Sequence, residues 1–383
     1  MLISPAKAGV ESVVRNMLKF IPQDNVELYL ISSAEIANYY EGLIPQSRHL
    51  VLGSWFGVPN NKYLRWIKRY IDHKFDLKAK KLRRWSAKTE TFLDQHQIKI
   101  MHANLVWDYY IASQIRRRRA DIKYINTMHG TLSLDPADNY DAFFPRAVIL
   151  KFLSNVDVFV SACQYFFDLL HLWQIETKQA ALIPNGIDIE IYQDRGLTVE
   201  NDKVVISFFG GGRPEQKGGD LLMHAVYLLV NEFQIQNFEL QVFGHVTEDG
   251  KERELARCLG IASHIKWKGF VAPPGHLTEM RASDIFVLPS RHEGVANTLM
   301  EAIGCGMAIV ASKVGGTPEV LDDGKNGLLC YPDARDLASK LAILIKDKNL
   351  RMKFADANEK LKHQYKWEEI CLKYEQLYLT TGL

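Results

Sequence analysis

HEGVANTLMEAIGCGMAIVASKVGGTPEVL, residues 292–321, is the stretch that decides the fold, and it follows the apolar run IFVL at Ile285–Leu288. The apolar run predicts a buried strand, and Gly294 begins a loop that enters a helical pattern. A second apolar run, Ala308–Ala311, predicts the next strand. Strands separated by a helix in this way indicate a parallel sheet that helices cover on both faces.

The same alternation extends over the rest of the chain. Further apolar runs predict strands at Val26–Ser32, Ile100–Ala103, Tyr124–Thr127, Val156–Ser161, Ala181–Ile183, Val204–Phe209 and Leu240–Phe243. Because the pattern occurs in both halves, the sequence predicts an α/β protein with two Rossmann-like, doubly wound domains. The turn-forming tripeptide at 184–186 marks the end of the first domain. We expect domains at residues 1–185 and 201–365, joined by a linker at 186–200.

The composition is that of a globular protein. Of its 383 residues, 47% are hydrophobic and 24% are charged. The five cysteines are odd in number and contain no CxxC pair, which favours free buried thiols in a reducing cytoplasm over a disulfide framework or a zinc site. No apolar run reaches the length of about 18 residues that a transmembrane helix needs. The first strand would span only Met1–Ile3, so we expect the natural start to lie upstream.

Two carboxylates in the opening stretch are candidate ligands for an extended substrate. Glu293 and Glu301 are eight positions apart, or ~12 Å along the axis if the segment were fully helical. A nucleotide sugar carries hydroxyl groups at two distant ends, on the sugar and on the ribose, and each end needs a group that accepts hydrogen bonds from them. Between them, Gly294 to Asn297 predicts a loop that enters a helix with Asn297 as its N-cap, where free N–H groups suit a diphosphate. The alternative is that both glutamates are solvated helix charges.

This E-x7-E pattern resembles the donor-site signature of the GT-B retaining glycosyltransferases of family 4. The resemblance implies that two such domains face each other across a cleft, with the donor on the C-terminal domain and the acceptor on the N-terminal domain. It implies that Glu301 binds the ribose hydroxyls and that Glu293 faces the transferred sugar. It also implies that Val295, Ala296 and Asn297 lie along the diphosphate and the sugar.

The resemblance extends over nearly the whole chain. GGTPEVLDDGKNGLL at 315–329 resembles the segment that follows the signature, and IPNGID at 183–188 resembles the segment between the domains. Trp367-Glu368 resembles the start of the family's final helix, so we expect a helix at 366–380 to pack back on the first domain.

A glycine-rich turn is a second candidate site. FFGGGRPEQKGGDLL at 208–222 ends a predicted strand and opens a helix. Gly212 permits close backbone approach, and Arg213 and Lys217 offer cations to a diphosphate. A simple strand-to-helix turn is the alternative. The family's Gly-Arg and Lys-Gly pair has one more residue between its cations, and Lys217-Gly218 is the better match.

Two further positions resemble the family's site. His129 follows a predicted strand and matches the histidine that lies beside the transferred sugar, although a histidine there is often a satisfied structural residue. Gly9 resembles the glycine loop near the donor phosphates, with Ala8 in place of the first glycine. We interpret His102 as structural.

A basic stretch at 62–88 predicts contact with an anionic membrane surface. It holds eleven Lys or Arg against two Asp, and its apolar residues recur near helical spacing. The alternative is an ordinary surface helix with solvated charges. Arg116–Arg119 indicates a solvated helix end, and no nucleic-acid partner is predicted. We expect a cytoplasmic protein that lies peripherally on the inner face of the cytoplasmic membrane.

The resemblance to family 4 implies a retaining transferase. It would move a hexose-type sugar from a nucleotide diphosphate sugar, the co-substrate, to a lipid-linked or polysaccharide glycan in cell-surface polysaccharide synthesis. No cofactor is expected, and no metal, because the sequence contains no Asp-x-Asp motif. Glu293, His129, Lys217 and Arg213 are the catalytic candidates. The alternatives are a nucleotide-sugar epimerase on the same fold and a non-catalytic nucleotide-sugar-binding partner subunit.

Overall fold

The computed structural model describes residues 2–4, 10–34, 36–52, 77–104, 106–129, 146–192, 203–211 and 214–382. The chain divides into two compact units. Unit 1 comprises Met1–Pro184 and Trp367–Leu383, and unit 2 comprises Asn185–Lys366.

Unit 1 is built on a parallel sheet that has seven strands in its described part, in the order β3-β2-β1-β4-β5-β6-β7. The strands are β1 Leu2–Ser4, β2 Leu30–Ser33, β3 His49–Leu52, β4 Ile100–Ala103, β5 Lys123–Met128, β6 Val158–Ser161 and β7 Ala180–Leu182. The helices are α1 Val10–Phe20, α2 Leu77–Gln95, α3 Val106–Arg118, α4 Arg146–Leu153, α5 Gln164–Leu172 and the C-terminal helix Trp367–Gly382, with short 3₁₀ turns at Ala37–Tyr40 and Gln46–Arg48.

The C-terminal helix belongs to the core of unit 1. Its buried residues recur at helical spacing and pack with those of α1, because one apolar stripe of a helix must be covered. The stripe consists of Trp367, Ile370, Cys371, Tyr374, Leu377 and Tyr378.

Unit 2 repeats the architecture, with six strands among its described residues in the order β10-β9-β8-β11-β12-β13. The strands are β8 Val204–Gly211, β9 Phe238–Gly244, β10 Ile265–Gly269, β11 Ile285–Leu288, β12 Ala308–Ser312 and β13 Leu328–Cys330. The helices are α6 Pro214–Lys217, α7 Gly219–Asn231, α8 Lys251–Cys258, α9 Gly275–Arg281, α10 Asn297–Gly304, α11 Thr317–Val320, α12 Ala334–Lys346 and α13 Lys348–Leu361, with 3₁₀ turns at Ala262–His264 and Lys362–Tyr365.

The two sheets confirm the predicted α/β class with two doubly wound domains. In each unit the strand order reverses beside the first strand, between β1 and β4 and between β8 and β11. Open parallel sheets bind ligands outside the carboxyl ends of their strands at such a reversal point. In unit 2 this point lies between the glycine-rich turn and the loop that carries Glu293.

Three other sequence expectations have outcomes in the fold. The second strand begins at Leu30, so the expected start at Val26 is wrong. Cys163, Cys305, Cys330 and Cys371 are free and buried, but Cys258 is exposed, so the interpretation of all five cysteines as buried is wrong. No helix in the described ranges is long and apolar enough to cross a membrane.

Candidate functional site

The loops that follow β8 and β11 meet at the reversal point of the unit 2 sheet. Ile206 and Ser207 of β8 pair directly with Ile285 and Phe286 of β11, so the carboxyl ends of the two strands lie side by side. The backbone N–H of Arg291, in the loop after β11, donates to the carbonyl of Gln216, in the short helix α6 after β8, at 3.0 Å.

An ion pair between Lys217 and Glu293 occupies this junction. The Lys217 ammonium donates to Oε1 of Glu293, and the Ser290 hydroxyl donates to the same oxygen at 2.8 Å. The side chains are only 19% and 9% exposed, so both charges are largely removed from water. An ion pair that is mostly desolvated is costly to break without a replacement partner.

Two glycines allow other segments to approach this junction closely. Gly218 and Gly315 have φ values of +69° and +52°, a region that favours glycine. A Cβ at Gly218 would lie 1.9 Å from the Pro289 carbonyl oxygen, and one at Gly315 would lie 1.7 Å from that of Glu293. No side chain fits at either position, so the glycines fix the backbone that carries Glu293.

A second ion pair, which the sequence did not reveal, ties the Glu293 loop to α7. The Arg291 guanidinium donates two hydrogen bonds of 2.7 Å to the two carboxylate oxygens of Asp220. Burial would raise the pKa of Asp220, but the guanidinium holds that pKa below its ordinary value. Such a two-bond pair fixes orientation as well as charge.

The helix of the E-x7-E segment begins later than expected. Helix α10 starts at Asn297 with Ala296 as its N-cap, so the prediction of Asn297 as the N-cap is wrong. The Asn297 amide oxygen instead accepts from the Asn185 side chain at 2.9 Å. Glu293 lies in the loop, so the helical estimate of its separation from Glu301 does not apply. Gly294, Val295 and Ala296 are buried, so this part of the loop lies within the unit.

Glu301 projects from α10 next to His276 of α9. Oε2 of Glu301 lies 3.2 Å from Nε2 of His276. No sequence motif pointed to His276, because the pairing of α9 with α10 depends on the strand order. It is a second member of the site that sequence reasoning missed.

His129 lies at the carboxyl end of β5 in unit 1. Its Nε2 is 3.2 Å from the amide oxygen of Asn104, and desolvation lowers the pKa of His129 to about 4. His102 is fully buried and is hydrogen-bonded to the Tyr378 hydroxyl at 2.7 Å and to Thr127 Oγ1 at 2.5 Å. These bonds join two strands to the C-terminal helix, as a structural role requires.

The described part of the basic stretch, residues 77–88, lies in α2. Lys80, Lys81, Arg84 and Lys88 surround Trp85 and line a cavity of about 470 Å³. By contrast, most of the basic run at 116–119 is paired with acids. Arg116 pairs with Asp157, Arg118 with Glu90, and Arg119 with Asp94 and Asp121.

Comparison with known proteins identifies the family. The model of the family described as "Glycosyltransferase Family 4" matches residues 8–191, and the model for "Glycosyl transferases group 1" matches residues 190–361. Together they account for residues 8–361. The chain belongs to the GT-B glycosyltransferases of family 4.

Individual relatives support this assignment. The glycosyltransferase is 30% identical to phosphatidyl-myo-inositol mannosyltransferase of Mycolicibacterium smegmatis over 223 residues, 56% of each chain. It is 25% identical to D-inositol 3-phosphate glycosyltransferase of Corynebacterium glutamicum over 70% of each chain. Its fold matches that of Anabaena HepE in complex with UDP, with a TM-score of 0.75, 17% identity and 99% of each chain covered.

Some candidate residues of the glycosyltransferase lie outside the described residues. These are Gly9, Gly212 and Arg213, together with 62–76 of the basic stretch and 193–200 of the linker. Among the residues that are described, no group of three or more His, Cys, Asp or Glu is placed to hold a metal ion.

Proposed function

We propose that this glycosyltransferase transfers a hexose-type sugar from a nucleotide diphosphate sugar, with retention of configuration, to a lipid-linked or polysaccharide glycan acceptor. The observation that carries the proposal is the Lys217–Glu293 pair at the reversal point of the unit 2 sheet. A cation and a carboxylate at that point suit the two ends of a sugar diphosphate. The UDP bound to the similarly folded HepE supports a nucleotide donor.

The pair gives each residue a chemical role. Charge grows on the leaving phosphate as the glycosidic bond breaks, and the Lys217 ammonium would stabilise it there. If the Lys217 ammonium donated to the phosphate instead of to Glu293, the Glu293 carboxylate would be released to accept a hydrogen bond from a sugar hydroxyl. No described side chain caps the amino end of α10, so its first N–H groups suit the diphosphate oxygens. Arg213 would add a second cation.

The acceptor is proposed from charge. The two relatives are named for phosphatidyl-myo-inositol and for D-inositol 3-phosphate, and both of these compounds contain a phosphate ester. Helix α2 presents a row of cations in unit 1, which suits an anionic acceptor or the membrane that holds it. We therefore place the enzyme peripherally on the inner face of the cytoplasmic membrane, in cell-surface polysaccharide synthesis.

The proposed reaction needs no metal. The sequence lacks the Asp-x-Asp motif, and the cations and N–H groups above would neutralise the leaving diphosphate. Transfer should therefore survive excess EDTA. Complete loss that magnesium or manganese restores would contradict this part of the proposal.

A melting screen against nucleotide sugars tests donor binding. We expect one UDP- or GDP-sugar to raise the melting temperature of the wild type, since a ligand at 100 times its Kd adds about 2.7 kcal/mol. Glu301→Ala should reduce that rise. No shift with any nucleotide sugar would contradict the proposal. An epimerase would convert the bound donor without an acceptor, and a non-catalytic subunit would bind it unchanged.

A further inference from the structure

His276 and Glu301 come from two different helices and meet through one oxygen. His276 Nε2 lies 3.2 Å from Glu301 Oε2, and the two side chains are 12% and 23% exposed. A carboxylate only accepts hydrogen bonds, so the proton of this contact lies on Nε2 and His276 is the donor. No other described side chain donates to the Glu301 carboxylate, and this leaves Oε1 for a ligand hydroxyl.

The imidazole that holds Glu301 is itself fixed. It meets the ring of Phe209 in an edge-to-face arrangement, with centroids 6.2 Å apart and an interplanar angle of 76°. Phe209 in turn stacks on Phe243 at 4.3 Å and 5°. Helix α9 is anchored by the buried side chains of Leu277 and Met280. The imidazole of His276 therefore belongs to a packed part of unit 2, and its hydrogen bond restricts the rotation of the Glu301 side chain.

We propose that His276 is a positioning residue that holds the Glu301 carboxylate in the orientation required for the nucleotide ribose. This inference rests on the proposed function, in which Glu301 binds the ribose hydroxyls. A glutamate on an open helix face would lose rotational freedom when it captures a ligand. His276 restricts that freedom before the ligand arrives, so less affinity is lost to ordering.

Binding of deoxynucleotides distinguishes positioning from packing. Calorimetry would measure the Kd of UDP and GDP, and of their 2′-deoxy and 3′-deoxy analogues, for the wild type, His276→Leu, His276→Gln and Glu301→Gln. We expect His276→Leu to weaken the preferred diphosphate by about three- to tenfold, the cost of ordering one long side chain. The deoxy analogue that lacks the hydroxyl bound by Glu301 should bind His276→Leu with the same affinity as it binds the wild type. His276→Gln keeps an N–H donor and should recover part of the affinity.

His264 supplies a matched control in the same unit. Its ring also contacts a phenylalanine, although it stacks on Phe238 at 5.1 Å rather than meeting it edge to face, and it lies just before β10, at the opposite end of that strand from α9. Its Nδ1 is buried and has no hydrogen-bond partner among the described residues, like that of His276. His264→Leu should therefore leave all of these affinities unchanged, and melting temperatures would verify that each variant folds.

The outcomes separate this inference from the function beneath it. If His276→Leu weakens the ribonucleotide and both deoxy analogues equally, or weakens none, His276 does not position Glu301. If the wild type does not discriminate ribose from deoxyribose, or if Glu301→Gln keeps the full discrimination of the wild type, the ribose site itself is wrong, and the positioning role falls with it.

Discussion

Lys217 closes α6 and Glu293 lies in the loop after β11, 76 residues further along the chain. Each charge is largely withdrawn from water, and each is the other's main partner. A donor diphosphate would offer the ammonium a more highly charged partner, and this charge increases as the sugar departs. The benefit to the transition state should therefore exceed the benefit to the bound donor.

Lys217→Ala should consequently lower the turnover number by a larger factor than it lowers the affinity for the nucleotide-sugar donor. Loss of one hydrogen-bond donor to the developing negative charge commonly lowers kcat by about 10²- to 10³-fold. Turnover at saturating donor, compared with the donor Kd, measures the difference. Lys251→Ala is the matched control, because Lys251 pairs with Glu215 in the same unit and both side chains are more than 70% exposed. A fall in affinity with unchanged turnover would make Lys217 a binding residue only. Normal kinetics in Arg213→Ala would remove Arg213 from the site.

The sequence identified the residues of the site by their neighbours in the chain. Glu293, Glu301 and Lys217 lie in motifs, and the structure brings Lys217 to Glu293. Arg291 and His276 escaped because their partners lie on other elements, and only the strand order shows that these elements are adjacent. The N-cap assignment of Asn297 failed for the same reason, since the competing hydrogen bond comes from Asn185.

Edge strands account for the strands that the sequence pattern missed. β3, β10 and β13 each lie at an edge of a sheet, and none was predicted. Central strands such as β11 and β12 are buried throughout and read as continuous apolar runs, whereas β10 (IKWKG) alternates exposed lysines with less exposed residues. Apolar continuity therefore revealed the centre of each sheet and the position of the site, but not the full width of the sheets.

Helix α2 has one buried and one basic side. Leu82, Trp85 and Phe92 are buried, and Lys80, Arg84 and Lys88 are exposed at four-residue spacing. No ion pair joins these three cations to another described residue, in contrast to Arg116, Arg118 and Arg119. The helix thus combines a packed face with a row of cations that suits anionic headgroups.

Replacement of four cations of α2 by Gln should release the protein from anionic vesicles. The changes are Lys80→Gln, Lys81→Gln, Arg83→Gln and Arg84→Gln. Each Lys or Arg near such a surface contributes about 1 kcal/mol, so four changes should lower the partition coefficient by orders of magnitude. The binding should also weaken at 1 M salt, where the Debye length falls to about 3 Å. Co-sedimentation measures both effects. The same charge loss in unit 2, at Lys340, Lys346, Lys353 and Lys360, is the control. Equal, negligible binding of the wild type to anionic and neutral vesicles would make α2 an ordinary solvated helix.

Stability of the folded molecule should depend on two neutral histidines in unit 1. Desolvation lowers the pKa of His129 from its usual 6.5 to about 4 and the pKa of His102 well below 6.5. The unfolded chain therefore binds more protons than the folded protein below pH 6.5. The contribution of these two histidines to the free energy of unfolding is complete above pH 6.5 and is lost as the pH falls toward 4.

Calorimetric melting between pH 7 and 4 tests this dependence. The melting temperature should fall with acidification, with at most about 1.4 kcal/mol per pH unit for each histidine. His129→Asn removes one titrating group and should flatten the slope. A melting temperature that stays constant over this range would show that the two histidines titrate alike in the folded and unfolded chains.

Transfer of a labelled sugar is the most direct test of the proposed function. The enzyme would be incubated with the radiolabelled UDP- or GDP-sugar selected by the melting screen and with a membrane extract as the source of acceptor. We predict that the label moves from the nucleotide to a glycan or lipid-linked product, and that Lys217→Ala slows this movement while Lys251→Ala does not. Label that remains on the nucleotide, or that appears only as an epimerised donor, would contradict a transferase that acts on nucleotide sugars.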